Sequence, residues 1–163
     1  MAKARTASTG TPATKALTQA GVAFRLHPYA HEEGAQSYGM EAADKLGVDP
    51  ARVLKTLVVD VDATLCVGIV PVDRSLDLKA LASAVGGKRA SMAERATAER
   101  ATGYVLGGIS PLGQRRRLRT VIDDSAFGHD TVLVSGGRRG LDVELEPEDL
   151  ARLTGAERAP IAR

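Results

Sequence analysis

Arg52-Val53-Leu54-Lys55-Thr56-Leu57-Val58-Val59-Asp60-Val61-Asp62-Ala63-Thr64-Leu65-Cys66-Val67-Gly68-Ile69-Val70 reads as two strands, Leu54 to Val61 and Thr64 to Val70, joined by Asp62-Ala63. Both runs are rich in β-branched residues, and a two-residue link between such runs marks a hairpin. Upstream, Thr11-Pro12 supplies an N-cap and a first-turn proline for a helix that ends at Gly21. Val22, Phe24 and Leu26 alternate as a short strand that His27-Pro28-Tyr29 ends, Ser37 caps a helix running to Leu46 before Gly47, and Asp49-Pro50 opens a helical turn. Downstream, Leu78, Leu81, Ala82 and Val85 repeat at helical spacing before Gly86-Gly87, and Met92 to Ala101 reads as a second helical stretch. Strands are predicted around Tyr104 to Leu106, Leu118 to Ile122, Thr131 to Ser135 and Leu141 to Leu145, with a last helix from Pro147 to about Leu153. Strands and helices are interspersed without a βαβ repeat or a G-x-G-x-x-G fingerprint, which predicts a mixed sheet with flanking helices, not a Rossmann fold.

The chain has 163 residues, 44% of them hydrophobic and 26% charged, a size and composition for one domain over residues 11–163 behind a small, polar, flexible arm of residues 1–10. Aromatic residues make up only 3%, with no Trp, so an aromatic platform for stacking bases is not expected. One cysteine excludes an intramolecular disulfide, and no signal-peptide or membrane-length apolar run is present, which together predict a cytoplasmic protein. The net charge of +2 hides an uneven distribution: the stretch from Lys88 to Arg119 alone carries +6, while Asp142, Glu144, Glu146, Glu148 and Asp149 lie C-terminal to it. Such a dipolar molecule fits an RNA or phosphate partner, or merely a solvated surface of mixed charge.

Strand alternation places Lys55 in an apolar row with Val53, Leu57, Val59 and Val61. The ammonium is then either desolvated at the edge of a pocket, ready for a carbonyl, carboxylate or phosphate, or carried to water on a snorkelling stem. Gly107-Gly108-Ile109-Ser110-Pro111-Leu112-Gly113-Gln114 and Ser135-Gly136-Gly137-Arg138-Arg139-Gly140 each follow a predicted strand. Backbone N–H groups in such loops can cradle an oxygen-rich ligand, or the loops are simply tight turns. Neither has the order of a nucleotide-binding P-loop. Arg115, Arg117 and Arg119 alternate toward the next strand, about 7 Å apart on one face, and with Arg138 suit a phosphate backbone. His27 and His31 lack the further ligands a zinc site needs, so no metal is expected; Ser135, His129 and Asp142 lack a nucleophile elbow; and Cys66 sits in an apolar strand as a core residue.

Taken together, Arg52 to Leu57, Val70-Pro71-Val72, Leu76 to Lys79, Ala98 to Val105, Gly107 to Gln114 and Val134 to Leu141 resemble the YbaK-type Cys-tRNA(Pro) deacylases, relatives of the editing domain inserted in bacterial prolyl-tRNA synthetases. The resemblance runs from about Thr11 to Ala162. It implies a single α/β domain with a mixed, barrel-like sheet, acting in trans on tRNA mischarged with cysteine, without cofactor or metal. Its implied partners are the acceptor end of the mischarged tRNA and prolyl-tRNA synthetase, with no membrane involved. Lys55 matches the family's essential lysine. Gly107, Gly108, Ile109 and Ser110 match the loop beside the ester, and Tyr29, Tyr38, Thr56, Ser135, Gly137 and Asp142 match positions around the substrate. In the implied mechanism the substrate's own thiol attacks its ester, with the Gly107-Gly108 loop stabilising the oxyanion. Two other readings stay open: an editing hydrolase for Ala or Ser that uses water, and a non-catalytic aminoacyl-tRNA-binding module.

Overall fold

The computed structural model describes residues 10–34 and 37–163, so the expected N-terminal arm lies outside the described residues except for an exposed Gly10. The hairpin forms as its sequence predicts: β2 (Leu54–Val61) pairs antiparallel with β3 (Thr64–Pro71) across a two-residue turn. Asp62 and Ala63 both take positive φ, 50° and 71°, the combination whose twist matches that of a hairpin. Asp62 tolerates it because its carboxylate accepts the N–H groups of Lys88 and Arg89, at 2.8 and 3.0 Å.

The hairpin is the centre of a five-stranded sheet in the order β4 (Ala90–Met92), β2, β3, β5 (Arg119–Asp123), β8 (Glu157–Ala159), in which β3–β5 and β5–β8 are parallel. A second, antiparallel sheet has the order β1 (Arg25–Pro28), β7 (Leu141–Leu145), β6 (Val132–Arg138). The expected barrel-like mixed sheet therefore takes the form of two sheets that meet at one parallel rung, Val53 with Leu133. Five helices flank them among the described residues: α1 (Pro12–Ala20), α2 (Tyr38–Leu46), α3 (Leu78–Ala84), α4 (Arg95–Thr102) and α5 (Pro147–Thr154).

Alternation in the hairpin divides the core. Leu54, Val58, Val67 and Ile69 face the second sheet and pack with Val134, Val143, Leu145, Leu17 and Leu150. Val59, Val61, Cys66 and Val70 face the other way, beneath Leu81 and Ile161. A third cluster, Ala42, Ala43, Val53, Val72 and Leu133, seats α2 on the rung that joins the sheets. Gly39 lets α2 settle there, since a Cβ at that position would lie 2.2 Å from Val72 Cγ1. Each fully buried Leu or Ile contributes about 1.5–3 kcal/mol, so aliphatic burial carries the fold; of the buried side chains only Tyr104 is aromatic.

Four expectations fail locally. Tyr104 to Leu106 is not a strand: Tyr104 is buried while Val105 and Leu106 are both exposed, and the chain turns at once, with the Gly108 N–H donating to Val105. The first glycine loop therefore follows a turn and not a strand. Ser135 to Gly140 is not a free loop either, because β6 continues to Arg138 across an irregularity between Ser135 and Arg138. Met92 ends β4 instead of starting a helix, which begins at Arg95 after Glu94. The first strand begins at Arg25, later than its alternation suggested.

Candidate active site

From the Val53–Leu133 rung β2 and β6 diverge, and a cavity of about 180 Å³ opens beside them. β2 contributes Leu54, Lys55, Thr56 and Leu57; β6 and β7 contribute Ser135 and Asp142; α2 and the segment before it contribute Tyr29, Ser37, Tyr38, Gly39 and Ala42; Leu106, Gly107 and Ile109 complete the lining. Eight of the residues expected around a substrate thus come together: Lys55, Tyr29, Tyr38, Thr56, Gly107, Ile109, Ser135 and Asp142.

Lys55 is half-buried, and desolvation holds its ammonium below the ordinary lysine range against an opposing pull from Asp73. No carboxylate among the described residues forms an ion pair with it, and it lines the cavity. Asp142 is 5% exposed, and burial alone pushes its carboxyl up to about 7. Tyr29 is pushed up to about 12, first by burial and then by the charge of Asp142. The buried Thr56 hydroxyl has no hydrogen-bond partner among the described residues. Among the described residues the site therefore holds a cation without an ion-pair partner, a carboxyl raised by burial and a hydroxyl without a hydrogen bond, the condition of a surface awaiting a polar ligand.

Gly108, Ser110 and Gly137 do not line the cavity. The Gly108 backbone presses on that of Arg138, where a Cβ would lie 2.8 Å from Cα, and its N–H already donates to Val105, so it is not free to hold an oxyanion. Ser110 is fully buried, with its hydroxyl accepting the Leu112 N–H and its carbonyl accepting from Gln114. Gly137, at φ 107°, makes room for the Tyr104 ring and Thr11. Gly107, at φ 88°, stands against the Tyr38 ring, and Arg139 lies over that ring at 4.9 Å while donating to the Leu106 carbonyl. Arg139 at the rim, and Leu106 in the lining, are site residues that sequence reasoning did not single out. The run Ser135 to Gly140 contained Arg139, but nothing local distinguishes it from Arg138.

The arginine stripe is broken. Arg115, Arg116 and Arg117 are exposed, precede β5, and form no ion pair among the described residues. Arg119 is instead gripped by Glu157 at 2.7 and 3.2 Å and donates to the Val85 carbonyl, so its guanidinium is committed within the protein. Arg138 is exposed and does not line the cavity. His27 and His31 hydrogen-bond Glu144 and Glu41 at 2.7 and 2.8 Å, and the described residues hold no group of three or more potential ligands placed for a metal. Cys66 is buried with Val59, Val61 and Leu81 and does not line the cavity, and burial pushes its thiol up.

A model of the aminoacyl-tRNA editing domain matches residues 32–153, a range that includes every cavity-lining residue except Tyr29. Over 162 residues, 99% of this chain and 98% of the other, the sequence is 35% identical to a protein of Enterococcus faecalis named as the Cys-tRNA(Pro)/Cys-tRNA(Cys) deacylase EbsC. Over 90 residues, 55% of this chain and 54% of the other, it is 34% identical to the multifunctional Ser/Thr-tRNA deacylase ProXp-y of Escherichia coli K12. A crystal structure described as a trans-editing enzyme for prolyl-tRNA synthetase superposes with a TM-score of 0.83 at 24% identity, covering 95% of this chain and 97% of that one, and shares the fold. With that family match over most of its length and a whole-chain relative, the chain belongs to the aminoacyl-tRNA editing domain family.

Proposed function

We propose that this protein is a trans-acting deacylase that clears Cys-tRNA(Pro), and Cys-tRNA(Cys) as well, with prolyl-tRNA synthetase as the partner whose mischarged product it receives. The observation that carries the reading is the cavity itself, an amino-acid-sized recess in which, among the described residues, Lys55 forms no ion pair, the Asp142 carboxyl is raised by burial and the Thr56 hydroxyl has no hydrogen-bond partner. The whole-chain similarity to EbsC supports cysteine as the amino acid removed.

The Lys55 ammonium holds the terminal ribose or phosphate at the mouth, and the aminoacyl group folds into the recess. The substrate thiol sulfur attacks the ester carbonyl carbon. A C–S bond forms, the C–O bond to the ribose breaks, the thiol proton passes to the departing ribose oxygen, and the products are a cyclic thiolactone and free tRNA. Holding sulfur and carbonyl in an attack geometry supplies the main rate term, because it removes the orientational entropy of cyclisation. Side chains without a thiol, such as those of alanine and proline, cannot cyclise. No cysteine of the protein lines the cavity, since Cys66 is buried elsewhere, so the sulfur of this route is the substrate's own. The reaction belongs to the cytoplasm, and no described helix is long and apolar enough to cross a membrane.

A second reading, hydrolysis of a seryl or threonyl ester by water, draws on the similarity to ProXp-y and on a carboxyl that titrates near neutrality in the recess. Release of labelled amino acid from Cys-, Ala- and Ser-tRNA in one assay separates the two. Cysteine is expected to be released fastest, Lys55→Ala to slow release by roughly 10²-fold or more, and Cys66→Ser to leave it unchanged. Absence of cysteine release by the wild type would overturn the proposal, and preferential release of serine would transfer it to the second reading.

A further inference from the structure

We propose that the free edges of β2 and β6 read the main-chain part of the aminoacyl ester, its α-ammonium and its carbonyl, through backbone groups of Leu54, Thr56 and Ser135. The proposal rests on the deacylase reading and specifies how that site holds its substrate.

In an extended strand the N–H and C=O of one residue point to the same side, and successive residues alternate sides. The Val58 carbonyl accepts the Ala93 N–H, so Val58, and with it Thr56 and Leu54, turn their backbone groups toward the β4 side of β2. The β4 strand covers only Val59 to Val61 on that side. On the facing wall, the Tyr29 N–H donates to the Gly140 carbonyl, so Gly140, Asp142 and Glu144 turn toward β1. Leu141 and Val143 then turn toward β6, and Leu133 and Ser135 turn away from β7 toward β2. The Val53–Leu133 rung confirms that these two edges face each other.

A parallel ladder continuing from that rung would next join the Leu54 C=O to the Ser135 N–H and the Ser135 C=O to the Thr56 N–H. No such rung forms among the described residues, because the strands separate there, and Leu54, Thr56 and Ser135 line the cavity where they do. The gap thus offers two acceptors and two donors at fixed positions. An ammonium next to an ester carbonyl is the complement of that set: the ammonium donates to the Leu54 and Ser135 carbonyls, and the ester oxygen accepts from the Thr56 and Ser135 N–H groups. Donors fixed on two strands also suit the oxyanion that develops on that oxygen, a task for which the Gly108 N–H is already spent. The unpartnered Thr56 hydroxyl at the same spot is an independent sign that the gap is completed by a ligand. Because these contacts touch only what every aminoacyl ester shares, they hold the substrate without selecting its side chain.

The test is amide hydrogen exchange of the full chain, followed by NMR, free and with 3′-cysteinylamino-3′-deoxyadenosine, an amide analogue of the charged tRNA end. In the free protein the Thr56 and Ser135 amides should exchange at least about tenfold faster than those of Leu57 and Val134, which face partner strands, and saturation should slow both by about tenfold or more. The analogue lacking the α-amine, made from 3-mercaptopropionic acid, should bind at least about tenfold more weakly. Amides already protected in the free protein, amides unchanged at saturation, equal binding of the two analogues, or no binding of either would each overturn the proposal. Binding is read here without turnover, so a protein that binds as expected but releases no cysteine would count against the deacylase reading alone.

Discussion

Asp142 and Glu144 stand two residues apart on β7, and only one of them is chemically conspicuous. Glu144 accepts hydrogen bonds from Thr131, His27 and Arg52, which hold its carboxyl below the ordinary range despite partial burial. Among the described residues no such partners act on Asp142, and burial raises its carboxyl to about 7. The sign of the resulting linkage is fixed. A carboxyl whose folded-state pKa exceeds its unfolded value of about 3.9 makes the native state bind the extra proton, so its contribution to stability falls as pH rises from about 4 to 7. Asp142→Asn should therefore raise the unfolding free energy at pH 8 by one to a few kcal/mol, on the order of 1.4 kcal/mol per pKa unit, with the gain vanishing near pH 4; melting curves across that range check it. The family resemblance pointed to Asp142, but the residue pattern alone could not rank the two carboxylates, because the partners of Glu144 lie at residues 27, 52 and 131. Lys55 was different: a lone cation in an apolar alternation is a local signal, and local signals survive without coordinates.

At the scale of elements, the hairpin and the capped helices were legible because their causes are short-range: alternation, a two-residue turn, Thr11 and Ser37 at N-caps, Gly21 and Gly47 in the left-handed region after the helices. The strands β4 and β8, three residues each, are too short to show a period, and they exist only because β2 and β5 offer them an edge. Tyr104 to Leu106 failed for the opposite reason: three apolar residues suggest a strand, but no edge is there to receive them. The turn of the hairpin carries a measurable cost. Ala63 sits at φ 71°, its N–H donating to the Asp60 carboxylate but, unlike Asp62, with no polar side chain of its own to brace the turn, and an L-residue there loses about 1 kcal/mol. Ala63→Gly should move the urea midpoint upward by the equivalent of roughly 0.5–1 kcal/mol, with the denaturant slope unchanged.

Across the whole molecule, charge that looked continuous in sequence is divided by function. Arg119 is consumed in a forked bond to Glu157 that ties β5 to β8, whereas Arg115 and Arg117 remain exposed and unpaired among the described residues. Reversing both, Arg115→Glu with Arg117→Glu, should raise KM for charged tRNA by about tenfold, leave kcat within about twofold and flatten the salt dependence of KM. Arg119→Glu should instead lower stability, since it sets two like charges where the forked pair was. An unchanged KM in the double variant would remove the tRNA-facing role from this segment. The scarcity of aromatic residues, which excluded a base-stacking platform, has one further result. The chain has no Trp and three Tyr; Tyr29 and Tyr38 line the cavity, and Tyr104 is buried in the core against Gly137. Two of its three tyrosine signals in near-ultraviolet fluorescence and circular dichroism therefore originate at the site, which gives the unlabelled protein a built-in optical reporter of occupancy.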